Sequence, residues 1–159
     1  MIFVTLGSQK FQFNRLLIAL DEQISSGKIN EKVFAQVGMS DYKPQRFQFI
    51  DFLNQDEFAR EMDSADIVIT HGGTGAIIGA VKKNKKVIAV PRLAKYGEHV
   101  DDHQIQIIEQ FQEQNLICGC LDCNEIWKAI EMVKKIDFEE YHSNTFRIIE
   151  SIEEFIEKK

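Results

Sequence analysis

The sequence predicts an α/β fold in which helices cover both faces of a parallel sheet. Short β-branched and aromatic runs alternate with longer segments whose apolar residues recur every three or four positions. The run Ile67-Val68-Ile69 is continuously apolar, which is typical of a strand that is buried on both faces. Because right-handed crossovers bring the carboxyl ends of parallel strands to one edge, we expect the loops that follow the strands to meet there.

The first half of the chain contains three predicted strands, which span residues 2–6, 32–37 and 47–52. An amphipathic helix is predicted to begin near Asn14, and Ser26-Gly27 ends it. Asn54 or Asp56 is expected to cap a second, short helix, because both side chains can accept a hydrogen bond from the first helical turn.

The second half continues the same alternation. Its predicted strands contain Ile67–Ile69 and span 86–90 and 116–121. Its helices are predicted to begin at Thr74 or Gly75, at Asp101 or Asp102, at Asn124, and at Ser143 or Asn144. The whole chain, residues 1–159, is therefore interpreted as one domain with a Rossmann-like sheet.

The turn after Ile67–Ile69 is the strongest candidate for a binding site. Gly72, Gly73 and Gly75 fall within four residues, and glycine lets a backbone turn sharply and approach a ligand closely. The helix that follows presents unpaired N–H groups and a positive dipole end, which favour a phosphate. A tight connection without a ligand is the alternative, but such a connection has no special use for His71.

Composition and charge exclude several classes of function. The net charge of −6 argues against a broad nucleic-acid surface. No apolar run approaches the roughly 18 residues of a membrane span, and the first residues lack the basic region of a signal peptide. We therefore expect a cytoplasmic protein that does not bind nucleic acid.

Three clustered cysteines raise the question of a metal site. Cys118, Cys120 and Cys123 lie close together, whereas a structural zinc site normally needs four ligands, commonly as two separated pairs. We interpret them as reduced cysteines at the edge of a core and predict no metal site.

Three segments together resemble a known family. Ile69–Gly75, Val90-Pro91-Arg92 and Gly97–Gln104 resemble the C-terminal half of family 28 glycosyltransferases. The match is closest to the small subunits of two-part bacterial capsule and exopolysaccharide glycosyltransferases. The sequence is similar also to the small subunit of the eukaryotic enzyme that adds the second N-acetylglucosamine to dolichol diphosphate. The resemblance extends from Ile2 to about Leu121.

The resemblance implies the donor-binding half of a GT-B glycosyltransferase, with a UDP-sugar as donor substrate and no other cofactor. In such two-part enzymes a separate, membrane-associated subunit supplies the acceptor-binding half. The acceptor is then a polyprenyl-diphosphate-linked sugar, and transfer proceeds with inversion and without a metal ion. The resemblance thus implies a peripheral position at the inner face of the membrane, through the partner.

The family's binding residues correspond to positions of this chain. The turn Gly72-Gly73-Thr74-Gly75 matches the segment whose amides hold the diphosphate, and His71 matches a position next to the phosphates. Gly7 and Ser8 match the first loop, which faces the partner half.

Other matched positions concern the base and the sugar. Phe52 and Leu53 match the loop that contacts uracil, whereas Asp102 and Gln104 match an acid and an amide that hydrogen-bond the donor sugar. The remaining substrate-binding candidates in these motifs are Arg92 and His103.

Two departures from the family pattern concern ribose and catalysis. Relatives commonly carry an acidic residue where this chain has Gly79, so the resemblance leaves ribose recognition open. Bacterial relatives often read Gly-Thr-His-Glu where this chain reads Gly7-Ser8-Gln9-Lys10, without the imidazole and the carboxylate.

An inverting transfer also needs a base that activates the acceptor hydroxyl. Glu98, Asp101 and His99 are the catalytic candidates, with Asp102 and His103 beside them. Helix capping explains part of this acidic cluster. The base is predicted to come from this loop or from the partner.

Two other functions remain open. The chain is a non-catalytic nucleotide-sugar-binding or enhancer module if the departures at Gly79, Gln9 and Lys10 mean lost activity. It is a nicotinamide-dinucleotide enzyme if the turn is a dinucleotide fingerprint, but that fingerprint normally follows the first strand, and here it follows the fourth.

Overall fold

The computed structural model describes residues 1–7 and 9–142, which form a six-stranded sheet in the order β3-β2-β1-β4-β5-β6. Every neighbouring pair of strands is parallel. The strands are β1 (Ile2–Thr5), β2 (Val33–Gln36), β3 (Gln48–Ile50), β4 (Ile67–His71), β5 (Lys86–Val90) and β6 (Cys118–Gly119). The predicted fold class is confirmed.

Five α-helices connect or follow the strands within these residues. They are α1 (Asn14–Ser25), α2 (Gln55–Ser64), α3 (Thr74–Val81), α4 (His103–Glu113) and α5 (Ile126–Val133). Short 3₁₀ turns occupy Ala94–Tyr96 and Cys123–Glu125. The predicted last helix, from Ser143 or Asn144, lies outside the described residues, and so does Ser8.

The sheet separates two apolar cores. Alternate strand residues such as Ile2 and Val4 pack with α1 and α5 on one face. Phe3 and the residues that share its side of the sheet pack with α2, α3 and α4 on the other face. This alternation follows from the two-residue period of a strand, and it leaves both faces of the sheet covered.

The sheet has a topological switch point between β1 and β4, because strands are added on opposite sides of β1 in the two halves of the chain. The chain first adds β2 and β3 on one side of β1, and then crosses to place β4 against the other side of β1. Open α/β sheets bind ligands outside the carboxyl ends of their strands at such a switch point. The loop after β1 and the glycine turn after β4 therefore share one crevice.

The structure confirms one predicted helix cap and corrects two others. Asn54 accepts a hydrogen bond from the Glu57 amide and thereby caps α2. Asn124 does not cap the fifth helix, because Asp122 accepts a hydrogen bond from the Asn124 amide and a 3₁₀ turn intervenes. Asp102 precedes α4, but its carboxylate turns back to the Ala94 amide instead of capping the helix.

The predicted sixth strand is shorter than expected. Only Cys118–Gly119 pairs with β5, at the edge of the sheet. On the open side, the Gly119 amide donates to the side chain of Gln112, at 2.6 Å, instead of to another strand. The Gln112 side chain thus covers the edge at which a further strand could pair.

Within residues 1–7 and 9–142, no helix is long and apolar enough to cross a membrane, and no group of His, Cys, Asp or Glu is suited to hold a metal ion. Cys118, Cys120 and Cys123 are free and buried. Burial raises the pKa of Cys120 to about 12 and that of Cys123 to about 11, so both thiols stay protonated at neutral pH.

Candidate functional site

The opening of α3 presents main-chain donors at the switch point. Gly73 is the N-cap residue and provides no side-chain cap, and the first turn contains no acidic residue. A Cβ added to Gly75 would meet nothing within 4 Å, so the space beside the first turn is open. The Thr74 hydroxyl is buried and has no hydrogen-bond partner among the described residues. These features suit an anion that supplies the missing acceptors.

His71 fills the space between the two glycine loops. A Cβ at Gly73 would overlap its imidazole ring, and a Cβ at Gly7 would lie 2.9 Å from its Nε2 atom. Gly7 also has a φ of +74°, in the left-handed region that favours glycine. Both glycines are therefore required by the position of one buried ring.

The imidazole of His71 is neutral at physiological pH. Its side chain is 4% exposed, and burial, aided by the nearby Arg92 and His99, lowers its pKa to about 3. A neutral imidazole carries a single N–H group, so its hydrogen bonds decide which nitrogen holds the proton.

Gln104 connects three loops at this edge of the sheet. Its Oε1 atom accepts from the Gly72 and Arg92 amides, each at 2.9 Å. Its Nε2 atom lies 3.2 Å from Nδ1 of His71. The side chain is buried and fixes these loops, and the predicted contact of Gln104 with the donor sugar stays a prediction.

Arg92 has a similar internal role. Arg92 is 1% exposed, and its guanidinium donates to main-chain carbonyls of Leu6, at 2.6 Å, and of Phe11 and Gln12, at 3.2 and 3.1 Å. Burial lowers the pKa of Arg92 to about 10, which leaves it charged at neutral pH. Arg92 therefore ties the loop after β1 to the loop after β5, and its predicted contact with substrate is not supported.

Glu98 is buried in an ion pair. Its carboxylate is 1% exposed and forms a two-point ion pair with Arg15, at 3.0 Å for each contact. It also accepts a hydrogen bond from the Leu93 amide. A fully buried and paired carboxylate cannot reach an acceptor hydroxyl, so we remove Glu98 from the catalytic candidates.

The other catalytic candidates form an accessible cluster. The Asp101 carboxylate lies 3.3 Å from Nδ1 of His99 and 3.4 Å from Nδ1 of His103, and it accepts from the His103 amide. All three side chains are partly exposed. Asp102 is exposed, and one of its carboxylate oxygens is occupied by the Ala94 amide.

The loop after β3 offers an apolar surface at the same edge. Phe52 is 46% exposed, and its ring edge would lie 3.9 Å from a Cβ added at Gly38. Met39, the next residue after Gly38, is also exposed. The Leu53 amide donates to the side chain of Gln36, which fixes the path of the loop.

A separate cleft of about 730 Å³ lies on the other side of the same loops, between α1, the segment 93–98 and the segment 121–124. Arg15 lines it, but the guanidinium is already paired with Glu98 and stacks on the ring of Tyr96. The cleft also contains no part of the glycine turn. We therefore place the candidate site at the opening of α3.

Sequence reasoning missed Arg15 and Gln36. Arg15 lies in the first turn of an amphipathic helix, and the local sequence does not indicate its partner Glu98, which lies 83 residues away. Gln36 ends a buried strand with a polar side chain at the carboxyl edge, and that was a usable signal.

Two curated relatives have similar sequences. The chain is 29% identical over 119 residues to "UDP-N-acetylglucosamine transferase subunit ALG13" of Yarrowia lipolytica, covering 74% of this chain and 57% of the relative. It is 35% identical over 78 residues to the subunit of the same name from Candida glabrata, covering 48% of this chain and 37% of the relative. The chain thus spans about half the length of these relatives, or less.

Solved structures share the fold at low sequence identity. The solution structure of ALG13 has a TM-score of 0.61 at 18% identity, and the match covers 92% of both chains. The crystal structure of MurG from Acinetobacter baumannii has a TM-score of 0.59 at 15% identity, over 95% of this chain and 49% of that one. The sheet and its helices therefore have the fold found in these two structures.

The family model described as "Glycosyltransferase family 28 C-terminal domain" matches residues 1–157, almost the full length of the sequence. The match includes the glycine turn, the buried Gln104 and the Asp101 cluster, which are the features that define the candidate site. The chain belongs to the glycosyltransferase family 28 C-terminal domain family.

Proposed function

We propose that this protein is the donor-binding subunit of an inverting glycosyltransferase that uses a UDP-sugar, either a hexose or an N-acetylhexosamine. Its acceptor is a sugar linked to a polyprenyl diphosphate, and a membrane-associated partner subunit binds that acceptor. The protein acts at the cytoplasmic face of the membrane through this partner, in polysaccharide biosynthesis, and requires no metal ion.

The opening of α3 is the observation that carries the proposal. A helix start with no side-chain cap, an unpartnered buried hydroxyl on Thr74 and open space beside Gly75 occur together at the switch point of the sheet. A diphosphate would satisfy the free amides and the hydroxyl together, and the helix dipole would stabilise its charge. The same contacts would stabilise departing UDP in the transition state.

The rest of the donor fits around this anchor. Phe52 and Leu53 would contact uracil, because Phe52 offers an exposed ring at the same edge of the sheet. We expect His103 and Asp102 to contact the sugar, because both side chains are accessible, and we expect the backbone at Gly7 to face the partner half.

The base is proposed to come from the Asp101 cluster or from the partner. Nδ1 of His99 accepts from the Asp101 amide at 3.4 Å, so the partly exposed carboxylate of Asp101 is the group of this cluster that would receive a proton from an acceptor hydroxyl. Glu98 takes no part, because it is buried against Arg15.

Binding of UDP is the first test. We expect UDP at a hundred times its Kd to add about 2.7 kcal/mol to the free energy of unfolding, which corresponds to a rise in Tm of roughly 5–10 °C for a domain of this size. A rise with nicotinamide adenine dinucleotide and none with millimolar UDP would replace the proposal with a dinucleotide enzyme.

A non-catalytic binding module is the second candidate function. The chain has Gly79 where relatives commonly carry an acid, and the space beside Gly79 is open, with nothing within 4 Å of an added Cβ. Co-purification with the membrane-associated partner, followed by transfer from UDP-N-acetylglucosamine to a lipid-linked acceptor, separates the two. Binding of UDP without transfer by the complex would favour the module.

A further inference from the structure

Gln104 and His71 form a hydrogen-bonded pair whose direction is dictated by the backbone. The Oε1 atom of Gln104 lies 2.9 Å from two amide nitrogens, those of Gly72 and Arg92, and an amide nitrogen can only donate. The carboxamide therefore has one possible orientation, with its NH₂ group toward Nδ1 of His71, 3.2 Å away.

This orientation fixes the proton of the imidazole. The NH₂ group of Gln104 donates, so Nδ1 of His71 must be an unprotonated acceptor. Because the buried ring is neutral, its one proton must then lie on Nε2. That edge of the ring faces Gly7, across the crevice between β1 and β4, and Nε2 has no hydrogen-bond partner within residues 1–7 and 9–142.

We propose that Gln104 is a positioning residue that fixes His71 as a neutral imidazole with its proton on Nε2, so that His71 donates a hydrogen bond to the diphosphate of the nucleotide-sugar. The identity of the acceptor rests on the proposed function, whereas the location of the proton rests on the geometry alone. Gln104 thus acts on the donor through His71.

The surroundings of His71 keep this arrangement independent of pH. The charged or titratable groups that face the ring are Arg92, after β5, and His99, in the loop before α4. The first turn of α3 contributes neither an acid nor a base, and Gln104 itself does not titrate. The donor on Nε2 is therefore present throughout the range between pH 5 and pH 8.

Nitrogen-15 NMR of the imidazole rings in the free protein tests the location of the proton. We expect His71 to show a proton on Nε2 and a bare Nδ1 from pH 5 to pH 8. A proton on Nδ1, or titration of His71 between pH 6 and pH 7, would overturn the inference whether or not UDP binds.

Gln104→Glu tests the coupling between the two residues. One carboxylate oxygen can still accept from both amides, but the other must now accept from Nδ1 of His71. In the neutral ring the proton therefore moves to Nδ1, and the unprotonated Nε2 presents a lone pair to the diphosphate. In the charged ring both nitrogens carry protons, so Nε2 still donates. We expect the affinity for UDP-N-acetylglucosamine, relative to the native protein, to fall about ten- to a hundredfold as pH rises through the new pKa of His71.

Gln23→Glu is the matched control. Gln23 is similarly buried and bridges main-chain groups, accepting from the Trp127 amide and donating to the Cys123 carbonyl, but it packs on the other face of the sheet. It should leave the His71 spectrum and the relative pH profile unchanged. UDP-N-acetylglucosamine is the probe because its esterified phosphates do not titrate in this range.

The outcomes separate the inference from the proposed function. A relative affinity for Gln104→Glu that does not change with pH overturns the positioning role. If Gln104→Glu fails to fold, the spectrum of the native protein decides alone. If the native protein shows the expected proton on Nε2 but binds no UDP-N-acetylglucosamine, the proposed function fails and the location of the proton stands.

Discussion

Helices α2 and α3 begin at the same edge of the sheet, but their N-termini are capped differently. At α2, Asn54 accepts from the Glu57 amide at 2.8 Å, and the Glu57 side chain accepts from the Asn54 amide in return. Asp56 and Glu57 also place negative charge in the first turn. At α3, Gly73 provides no cap, and the first turn carries no acid.

The difference shows which helix start is available to a ligand. The capping box of α2 satisfies its donors from within, and its two carboxylates neutralise the dipole and repel anions. The donors of α3 have no such acceptors, although a serine or aspartate at position 73 would be the ordinary solution. An external anion at α3 would supply the hydrogen-bond acceptors that Asn54 and Glu57 supply at α2.

Gly75→Asp gives α3 the negative charge that α2 already has, and it should have the largest effect on binding. At about 6 Å and an effective dielectric constant of about 40, each phosphate charge is repelled by about 1.4 kcal/mol. Two phosphates then weaken UDP by about a hundredfold in Kd, while stability stays level or rises because the charge suits the helix dipole. Calorimetric titration and a melting curve measure the two effects.

Gly75→Asn controls for the volume of the new side chain, because it has the shape of aspartate without the charge. It should retain most of the affinity for UDP. Equal losses in both variants would mean that bulk, and not charge, excludes the ligand. Gly73 would be a poorer position to test, because a Cβ there overlaps the His71 ring and so disturbs the protein itself.

Strand β4, which leads into α3, ends with the buried imidazole of His71. This residue makes the free energy of unfolding depend on pH. The pKa of His71 is about 3 in the folded protein, against about 6.5 in an unfolded chain. Below pH 6.5 the unfolded state binds the extra proton, so stability is complete above that pH and falls as pH drops toward 3. We expect a loss of about 2 kcal/mol between pH 7 and pH 5 from this residue, measured by urea unfolding.

His71→Asn removes the titrating group but keeps an oxygen that can accept from Gln104. The difference in unfolding free energy between the native protein and this variant should change with pH by the amount given above. Parallel pH profiles for the two proteins would show that His71 is not held neutral by its surroundings.

The same contrast indicates what a sequence can reveal. Asn54 as a cap, the glycine turn and the order of strands and helices were all predicted correctly, because each depends on neighbours within a few residues. The length of β6 was not predicted correctly, since only Cys118–Gly119 pairs with β5, and the apolar pattern of 116–121 does not show where that pairing stops.

The loop between β5 and α4 was harder to interpret for the same physical reason. Arg92 and Glu98 in this loop, and Gln104 in the first turn of α4, were predicted to serve the substrate or the reaction. In the structure Glu98 pairs with Arg15, Arg92 holds carbonyls of the loop after β1, and Gln104 holds two amides. These contacts join residues that lie 12 to 86 positions apart, and a local pattern does not contain them. The predicted sugar contacts of Gln104, His103 and Asp102 stay predictions.

Removal of the cap at α2 should leave binding untouched. Asn54→Ala deletes the acceptor for the Glu57 amide, and the loss of such a cap typically costs about 1 kcal/mol of stability. Because the donors of α2 are not offered to the ligand, Kd for UDP should stay within twofold of the native value. A large loss of UDP affinity would show that the capped helix also takes part in the site.

Thr74→Val should have the smallest effect on stability and the opposite sign. The hydroxyl of Thr74 is buried without a partner among the described residues, so its replacement by a methyl group removes an unsatisfied polar atom. We expect a gain of roughly 0.5 kcal/mol in the free protein, together with about a fivefold weaker Kd for UDP, because the ligand loses one donor. At α3 the substitution thus raises stability and lowers affinity for UDP, whereas at α2 removal of the cap lowers stability alone. A variant that is less stable than the native protein and binds UDP equally well would mean that the hydroxyl serves the fold, and the start of α3 would then be closed in the manner of α2.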